Sequence, residues 1–289
     1  MEIVLIYNGL GNQMSQYAFY LAKRKQCKHC VPFFIPYSKI RHNGSELEKI
    51  FNINYPCFLT RLFIRFLYSF CCRMGISDNK FVSITNEPKN YSFTPSLLSE
   101  GKSWINFYYG GWHCEQYFKD IESEIKSTFN FNTADEQDNV FTMWKNEITN
   151  SVHSVSLHVR RGDFLLPPSN GYYNFQNVTT LDYYKASIAY ITEKRGKCDF
   201  FVFSDDLEWC RENFGTEGFC YIDGNTDKKS WKDMYLMTLC RDHINANSTF
   251  SWWGAWLSKY KDGIVTHPKE FIHGAEVNDF YPKNWIEIL

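Results

Sequence analysis

The decapeptide Val155-Ser156-Leu157-His158-Val159-Arg160-Arg161-Gly162-Asp163-Phe164 decides the fold. Val155, Leu157 and Val159 alternate with Ser156 and His158, the period-two pattern of a strand. The pattern stops at Arg160, where two guanidiniums and a carboxylate crowd around Gly162. In an α/β sheet, ligands sit beyond the carboxyl ends of the strands. Adjacent arginines there suit an oxyanion such as phosphate, because each offers a planar fork of donors and a permanent charge. An Arg-Asp ion pair that only closes a turn would use the same residues, and neighbouring segments have to separate the two readings.

Outward from this strand, β and α patterns alternate. A helix is expected over 181–194, and a strand over 199–203 that ends in Ser204-Asp205-Asp206. A helix start at Leu207, a short strand at 219–222 and a helix from about 232 to 239 follow. Strand 244–246 leads into Asn247-Ser248-Thr249-Phe250-Ser251 and a Trp-rich helix from Trp252, and a last short strand is expected at 264–265. Toward the N-terminus, Glu2-Ile3-Val4-Leu5-Ile6-Tyr7 reads as a strand. It runs through Asn8-Gly9-Leu10-Gly11-Asn12-Gln13 into a helix with Met14, Tyr17, Ala18, Leu21 and Ala22 on one face. This strand–Gly loop–helix unit opens many Rossmann-like domains, although GLGNQ is not the GxGxxG of dinucleotide binding. Gly9 and Gly11 allow close backbone approach of a ligand, with Asn12 and Gln13 at the helix start. Residues 77 to 110 read as loop ending in a strand at 105–109, and 132–150 as a helical link between halves. Alternation at this spacing argues for a parallel sheet in each of two domains, 1–150 and 151–289.

A net charge of −1 gives no general electrostatic reason to bind nucleic acid. Aromatic residues make up 18% of the chain, a level that suits both sugar stacking and a large aromatic core. The sequence enters its first strand at once, with no basic-then-apolar leader, so the ten cysteines are expected as reduced thiols in a cytoplasmic protein. Cys27-Lys28-His29-Cys30 has the spacing of half a zinc site but lacks the other half. Between 55 and 76, Phe58, Leu59, Leu62, Phe63, Phe66, Leu67 and Phe70 recur at helical spacing. Arg61 and Arg65 in mid-run argue against a spanning helix. Such a helix either packs on its own domain or lies on an anionic membrane surface as a peripheral contact.

Two more segments carry chemistry. Ser248, Thr249 and the Phe250 backbone sit between a strand and a helix, where free N–H groups and the helix dipole favour anions. Ser248 or Thr249 would equally serve as an N-cap without a ligand. Together with Arg160 they offer two phosphate sites beyond strand ends of the same half, enough for a diphosphate. Asp233 opens the 232–239 helix, where a carboxylate complements the dipole and could also accept from guanine N1–H and N2–H₂. Ser204-Asp205-Asp206 is not the Asp-x-Asp of metal-dependent sugar-nucleotide enzymes, and no metal is expected.

These residues resemble a known family. His158-Val159-Arg160-Arg161-Gly162-Asp163-Phe164 is similar to the HxRRGDY segment of the α-1,2-fucosyltransferases, glycosyltransferase family 11. It contains the HxRxxD pattern shared with α-1,6- and protein O-fucosyltransferases. Gly9 to Ala18 resembles the family's GLGNQxxQYA opening, and Phe203-Ser204-Asp205-Asp206 its FSDD. Asp233 to Cys240, then Asn247 to Leu257, resemble its DxxLMxxC…NSSFSWWGAWL block. Phe164 and Thr249 replace the more common Tyr and Ser.

The resemblance implies a GT-B-like α/β architecture, two Rossmann-like domains facing a cleft, with an N-terminal acceptor side and a C-terminal GDP-fucose side. It implies an inverting transfer of L-fucose from the co-substrate GDP-β-L-fucose to the 2-hydroxyl of a terminal β-galactoside, without a metal. The acceptor would be a cell-surface glycan, lipid-linked if the 55–76 helix touches membrane, which would put the protein on the inner face. By resemblance Arg160 grips the β-phosphate and His158 lies beside the nucleotide. Ser248, Thr249 and Phe250 contact the diphosphate, Asp233 reads guanine, and Asn12, flanked by Gly11 and Gln13, faces fucose and acceptor. Arg161 supports the phosphate site, and Asp163 is either a brace for the arginines or the catalytic base.

Overall fold

The computed structural model describes residues 1–35, 43–132, 137–166 and 174–289. The chain divides into unit 1, Met1–Asn132 with Asn278–Phe280, and unit 2, Thr133–Val277 with Tyr281–Leu289. Each is built on a parallel sheet, as the β/α alternation predicts.

In unit 1, β1 (Glu2–Ile6), β2 (Cys30–Phe34), β3 (Val82–Asn86) and β4 (Ile105–Tyr109) form a sheet in the order β2-β1-β4-β3. All pairings are parallel. β1 is buried from end to end, as expected of a central strand covered on both faces. Helix α1 (Leu10–Gln26) follows it directly. Helices α2 (Leu47–Phe51), α3 (Phe58–Met74) and α4 (Glu122–Thr128) come next. β3 lies inside the stretch that reads as loop. Its Val82-Ser83-Ile84-Thr85 alternates, but the Asn and Pro residues that follow mask so short a signal.

The predicted helix at 55–76 forms as α3, and it packs on its own sheet by a narrow stripe. Ile64 and Cys71 are buried there with Leu67 and Tyr68 against Ile3, Leu5, Phe33 and Phe107. Larger apolar residues of α3 remain outside (Leu59 is 74% and Phe66 72% exposed). No described helix is long and apolar enough to cross a membrane.

Unit 2 has β5 (Ser154–Val159), β6 (Asp199–Ser204), β7 (Phe219–Ile222), β8 (Asp242–Ile244), β9 (Val265–Pro268) and β10 (Ile286–Ile288). Their order, β10-β9-β8-β5-β6-β7, is the doubly wound Rossmann order read from its far edge. The chain winds outward from β5 through α6 (Leu181–Arg195), β6 and α7 (Leu207–Phe214) to β7. It then returns through α8 (Trp231–Leu239) to β8 on the other side of β5, and α9 (Thr249–Trp256) follows. The topological switch point therefore lies between β5 and β8.

The expected link at 132–150 has a different role. Helix α5 (Asn139–Asn150; residues 133–136 lie outside the described residues) belongs to unit 2, so the units divide at 132/133 and not at 150. Asp138 caps it by accepting from the N–H groups of Val140 and Phe141 and pairs with Lys232 of α8 at 3.0 Å. Phe141 and Ile148 join Phe201, Phe203, Leu236 and Met237 in a core beneath the sheet. α8 and α9 pack closely, since a Cβ at Gly254 would stand 2.8 Å from Met237.

Candidate functional site

β5 ends at the switch point, and its last residues turn out of the sheet as Arg160 and Arg161. The turn is fixed from β6. Arg161 N–H donates to Asp205 at 2.9 Å, and a Cβ on Gly162 would lie 2.6 Å from Asp205 Oδ2, so a side chain there would displace the Asp205 carboxylate. Arg161 is spent on structure: its Nε donates to Asp206 at 2.9 Å and its guanidinium lies 4.1 Å from the Trp209 ring centre. The Arg161 pairing helps hold the Asp206 carboxyl below its ordinary range.

Arg160 is held differently. One terminal nitrogen donates to Asp163 at 2.8 Å and the other pairs with Asp205 at 3.0 Å, while the side chain stays 35% exposed. A guanidinium has five N–H donors, so the two carboxylates orient it and leave donors for an incoming anion. Asp163 is thus paired with Arg160. The roles of Asp205, Asp206 and Trp209 do not emerge from the sequence, although the FSDD motif marks the place.

His158, one residue inside the strand, is buried, and its ring lies 5.8 Å from the Phe250 ring centre. Burial, with the Arg160 charge beside it, pushes its pKa down to about 3, so the ring is neutral. Its Nδ1 has no hydrogen-bond partner among the described residues.

Across the switch point, β8 runs into Asn245-Ala246-Asn247 and then α9. Asn247 is fully buried and ties the loop by donating to Phe271 O at 3.0 Å. Ser248 is the N-cap of α9, its hydroxyl accepting from Phe250 N–H at 3.3 Å, and Thr249 is buried. Ser248 thus does the work of a cap. The helix N-terminus it caps opens beside the end of β5, because β5 and β8 are hydrogen-bonded neighbours.

Asp233 stands in the first turn of α8. Burial pushes its carboxyl up to about 7, offset by the Asn225 amide, which donates to it at 2.7 Å. It keeps part of its surface in solvent, where an N–H donor would favour the ionised form.

The description "Glycosyl transferase family 11" matches residues 3–289. The chain belongs to this family. It is 31% identical to an alpha-1,2-colitosyltransferase of Escherichia coli, the match covering 100% of this chain and 99% of the relative. It is 30% identical to the O-antigen biosynthesis glycosyltransferase WbnK of Escherichia coli, over 97% and 98%. A galactoside alpha-(1,2)-fucosyltransferase 1 of Alouatta belzebul is 33% identical over 46% of this chain and 38% of its own length. Among solved structures, the fucosyltransferase NodZ from Bradyrhizobium superposes with a TM-score of 0.50 at 12% identity, over 90% of this chain and 95% of that one. That likeness concerns the fold, which is of the GT-B type. This protein is a glycosyltransferase of the α-1,2-fucosyl and colitosyl transferase family.

In unit 1 of this glycosyltransferase the corresponding sheet edge lies at β1 and β4. Asn12 sits in the first turn of α1, partly accessible. Gln13, expected beside the ligand, is instead fully buried: its amide nitrogen donates to Asn8 O and Gly44 O and its oxygen accepts from Glu46 N–H. Gly11 is likewise buried, its carbonyl accepting from Ser15. Both shape the loop from within. Gln16 clamps the two strand ends, accepting from Tyr7 N–H at 2.8 Å and donating to Gly110 O at 3.0 Å. Tyr7 stacks on Tyr109 with ring centres 4.8 Å apart.

Glu87, just past β3, accepts from Gly111 N–H at 2.8 Å and His113 N–H at 3.2 Å. Burial pushes its carboxyl up to about 7. Glu87 does not stand out in the sequence as a site residue, since it precedes a proline in an apparent loop, and Gln16, although part of the GLGNQxxQYA pattern, carries no sign of the two strand ends it joins.

No group of three or more His, Cys, Asp or Glu side chains among the described residues is arranged to hold a metal ion. Cys27 is buried and Cys30 partly so, both as free thiols.

Proposed function

We propose that this glycosyltransferase moves L-fucose from GDP-β-L-fucose to the 2-hydroxyl of a terminal β-galactoside in a cell-surface glycan, inverting the anomeric centre to an α-linkage. The observation that carries this reading is Arg160 at the switch point, oriented by Asp163 and Asp205 beside the strand end that leads into α9. The family match over nearly the whole chain supplies the class of reaction.

As the bond to the diphosphate breaks, the sugar becomes oxocarbenium-like and negative charge grows on the leaving group. Donors preorganised where that charge develops are the largest catalytic term in many enzymes. Arg160 provides a fixed cation, and the α9 N-terminus, with Ser248, Thr249 and the Phe250 backbone, provides dipole and N–H groups. No step in this scheme needs a metal. His158, neutral at working pH, contributes shape and a buried nitrogen beside the nucleotide, and Asp233 pairs with the guanine N1–H and N2–H₂ edge. In this reading unit 2 is the donor side. Unit 1 is the acceptor side, with Asn12 toward fucose and acceptor. Asp163 acts through Arg160 as a positioning residue, and the enzyme works in the cytoplasm.

A second reading is favoured by the full-length similarity to an alpha-1,2-colitosyltransferase. Colitose is fucose without its 3-hydroxyl. A site built to hydrogen-bond that hydroxyl rejects the deoxy sugar by about 10⁴-fold, whereas an apolar contact there discriminates only about 10–200-fold. Incubation with GDP-fucose or GDP-colitose, lactose as acceptor and EDTA present, separates the readings. GDP release with a 2′-fucosylated product supports the first, and a clear preference for GDP-colitose supports the second. Nucleotide binding with no transfer from either would leave a carbohydrate- or nucleotide-binding module and overturn both.

A further inference from the structure

Helix α3 presents two parallel stripes offset by one residue, which is about 100° around the axis. Ile64, Leu67, Tyr68 and Cys71 face the unit 1 sheet. Leu59, Phe63, Phe66, Phe70 and Met74 form the other stripe, each 46% to 74% exposed, with Phe66 and Phe70 stacked at 6.5 Å. Leu62 and Phe58 extend this apolar arc across the outward side of the helix. Arg61 and Arg65 follow on the other flank of the buried stripe, and Arg73 stands in the outward arc. From Cys57 to Gly75 there is no acidic residue. The turn after α3 is bonded to β3, Asn79 N–H donating to Val82 O and Ile84 N–H to Ser77 O. That places the exposed edge-to-face pair Phe81 and Trp104 at the end toward which α3 runs.

We propose that this face of α3, with Phe81 and Trp104 at its end, rests on an anionic lipid surface. The phenylalanines and leucines would enter the acyl boundary, and Arg61, Arg65 and Arg73 would reach the headgroup phosphates. Exposed apolar surface of this extent on one helix marks an interaction site. Charge decides the partner. The helix carries cations only, which complement a phosphate-rich surface. A two-fold contact with a second copy would bring identical patches together and oppose arginine to arginine. A spanning segment is excluded by the buried stripe, which is committed to the sheet. The long arginine stems let the charged ends rise to the interface while the neighbouring rings sink.

The test is co-sedimentation of the full-length protein with vesicles of phosphatidylcholine alone or mixed with phosphatidylglycerol, at low and high salt. The wild type should partition to the anionic vesicles and be released by salt. Arg61→Gln/Arg65→Gln should weaken binding about thirtyfold, since each basic residue near such a surface contributes about a fivefold factor. Phe63→Ser/Phe66→Ser should weaken it roughly tenfold or more even at low salt. These residues lie outside the reaction machinery, so transfer to a water-soluble acceptor should be unchanged, and circular dichroism checks folding. Wild-type protein that stays in the supernatant with anionic vesicles at low salt overturns the proposal. So does undiminished binding by the phenylalanine variant. A concentration-dependent dimer dispersed by Phe63→Ser/Phe66→Ser, without vesicle binding, would assign the face to a second copy instead.

Discussion

At the carboxyl edge of the unit 1 sheet the loops after β1 and β4 are held mostly by amides, with the Glu87 carboxyl, pushed up to about 7 by burial, taking the Gly111 and His113 N–H groups. Gln13 and Gln16 satisfy backbone N–H and C=O groups from inside, and Tyr7 stacks on Tyr109. At the equivalent edge of unit 2 the loop after β5 is held by charge, Arg160 between Asp163 and Asp205 and Arg161 between Asp206 and Trp209. Amide clamps fix a backbone shape and leave little field, which suits a polar, uncharged ligand such as a sugar hydroxyl. Braced guanidiniums hold a permanent charge in a chosen direction, which suits a diphosphate. Under the proposed function the two edges would divide the labour of transfer by chemistry, donor charge on one and acceptor shape on the other.

The sharpest way to break this contrast is Arg160→Ala. It should cost at least about 2.7 kcal/mol of transition-state stabilisation, about a hundredfold in kcat/KM, by analogy with the loss of an oxyanion donor. Turnover of GDP-sugar at near wild-type rate would remove Arg160 from its role. On the amide side, Gln16→Leu leaves a Tyr7 N–H and a Gly110 C=O without partners in a buried setting. A loss of about 2 kcal/mol in folding stability is expected, read by chemical denaturation. A folded variant should also lose acceptor KM before donor KM, and equal loss in both would deny the division of labour.

Asp233 supplies a pH test. A carboxyl that titrates near 7 must be ionised to accept from guanine, so donor binding should weaken as pH falls through that value. At pH 6 only about a tenth of the group is ionised, and KM for the GDP-sugar should rise about tenfold from its value at pH 8. Asp233→Asn should abolish that slope. Glu87 titrates in the same range but sits in unit 1, so Glu87→Gln should leave the donor slope in place. His158, held neutral down to about 3, adds nothing to this window. The smallest effect belongs to Ser248→Ala, which removes the α9 cap and should cost about 1 kcal/mol of stability. A thermal melt without any shift would mean that the cap is redundant.

Much of unit 2 was legible from its sequence. The alternation in Val155 to Val159 marks the strand that forms, and the family motifs point to Arg160, Asp233 and Ser248 as the residues to test. Sequence patterning works there because a fully covered parallel strand must be apolar and its loop must carry the polar work. Unit 1 was harder to read. β3 is short and flanked by breakers, so the Val82-Ser83-Ile84-Thr85 alternation did not stand out. Gln13 looked like a ligand contact because a glutamine after a Gly loop suits either role, and only its bonds to Asn8, Gly44 and Glu46 reveal a brace. α5 resembled a linker because half of its surface is polar, yet Phe141 and Ile148 fill the core beneath α8.

The local pattern by itself determined that Arg160 and Arg161 end a strand, and that a phosphate-like ligand was in question. Which arginine remains available is a tertiary fact. Asp205 and Asp206 arrive from a strand more than forty residues away, and their positions commit Arg161 to Asp206 and Trp209 while leaving Arg160 donors to spare. No local sequence pattern encodes that choice, because electrostatic partners across a sheet are set by strand order, and strand order is set by how the whole chain buries its apolar faces.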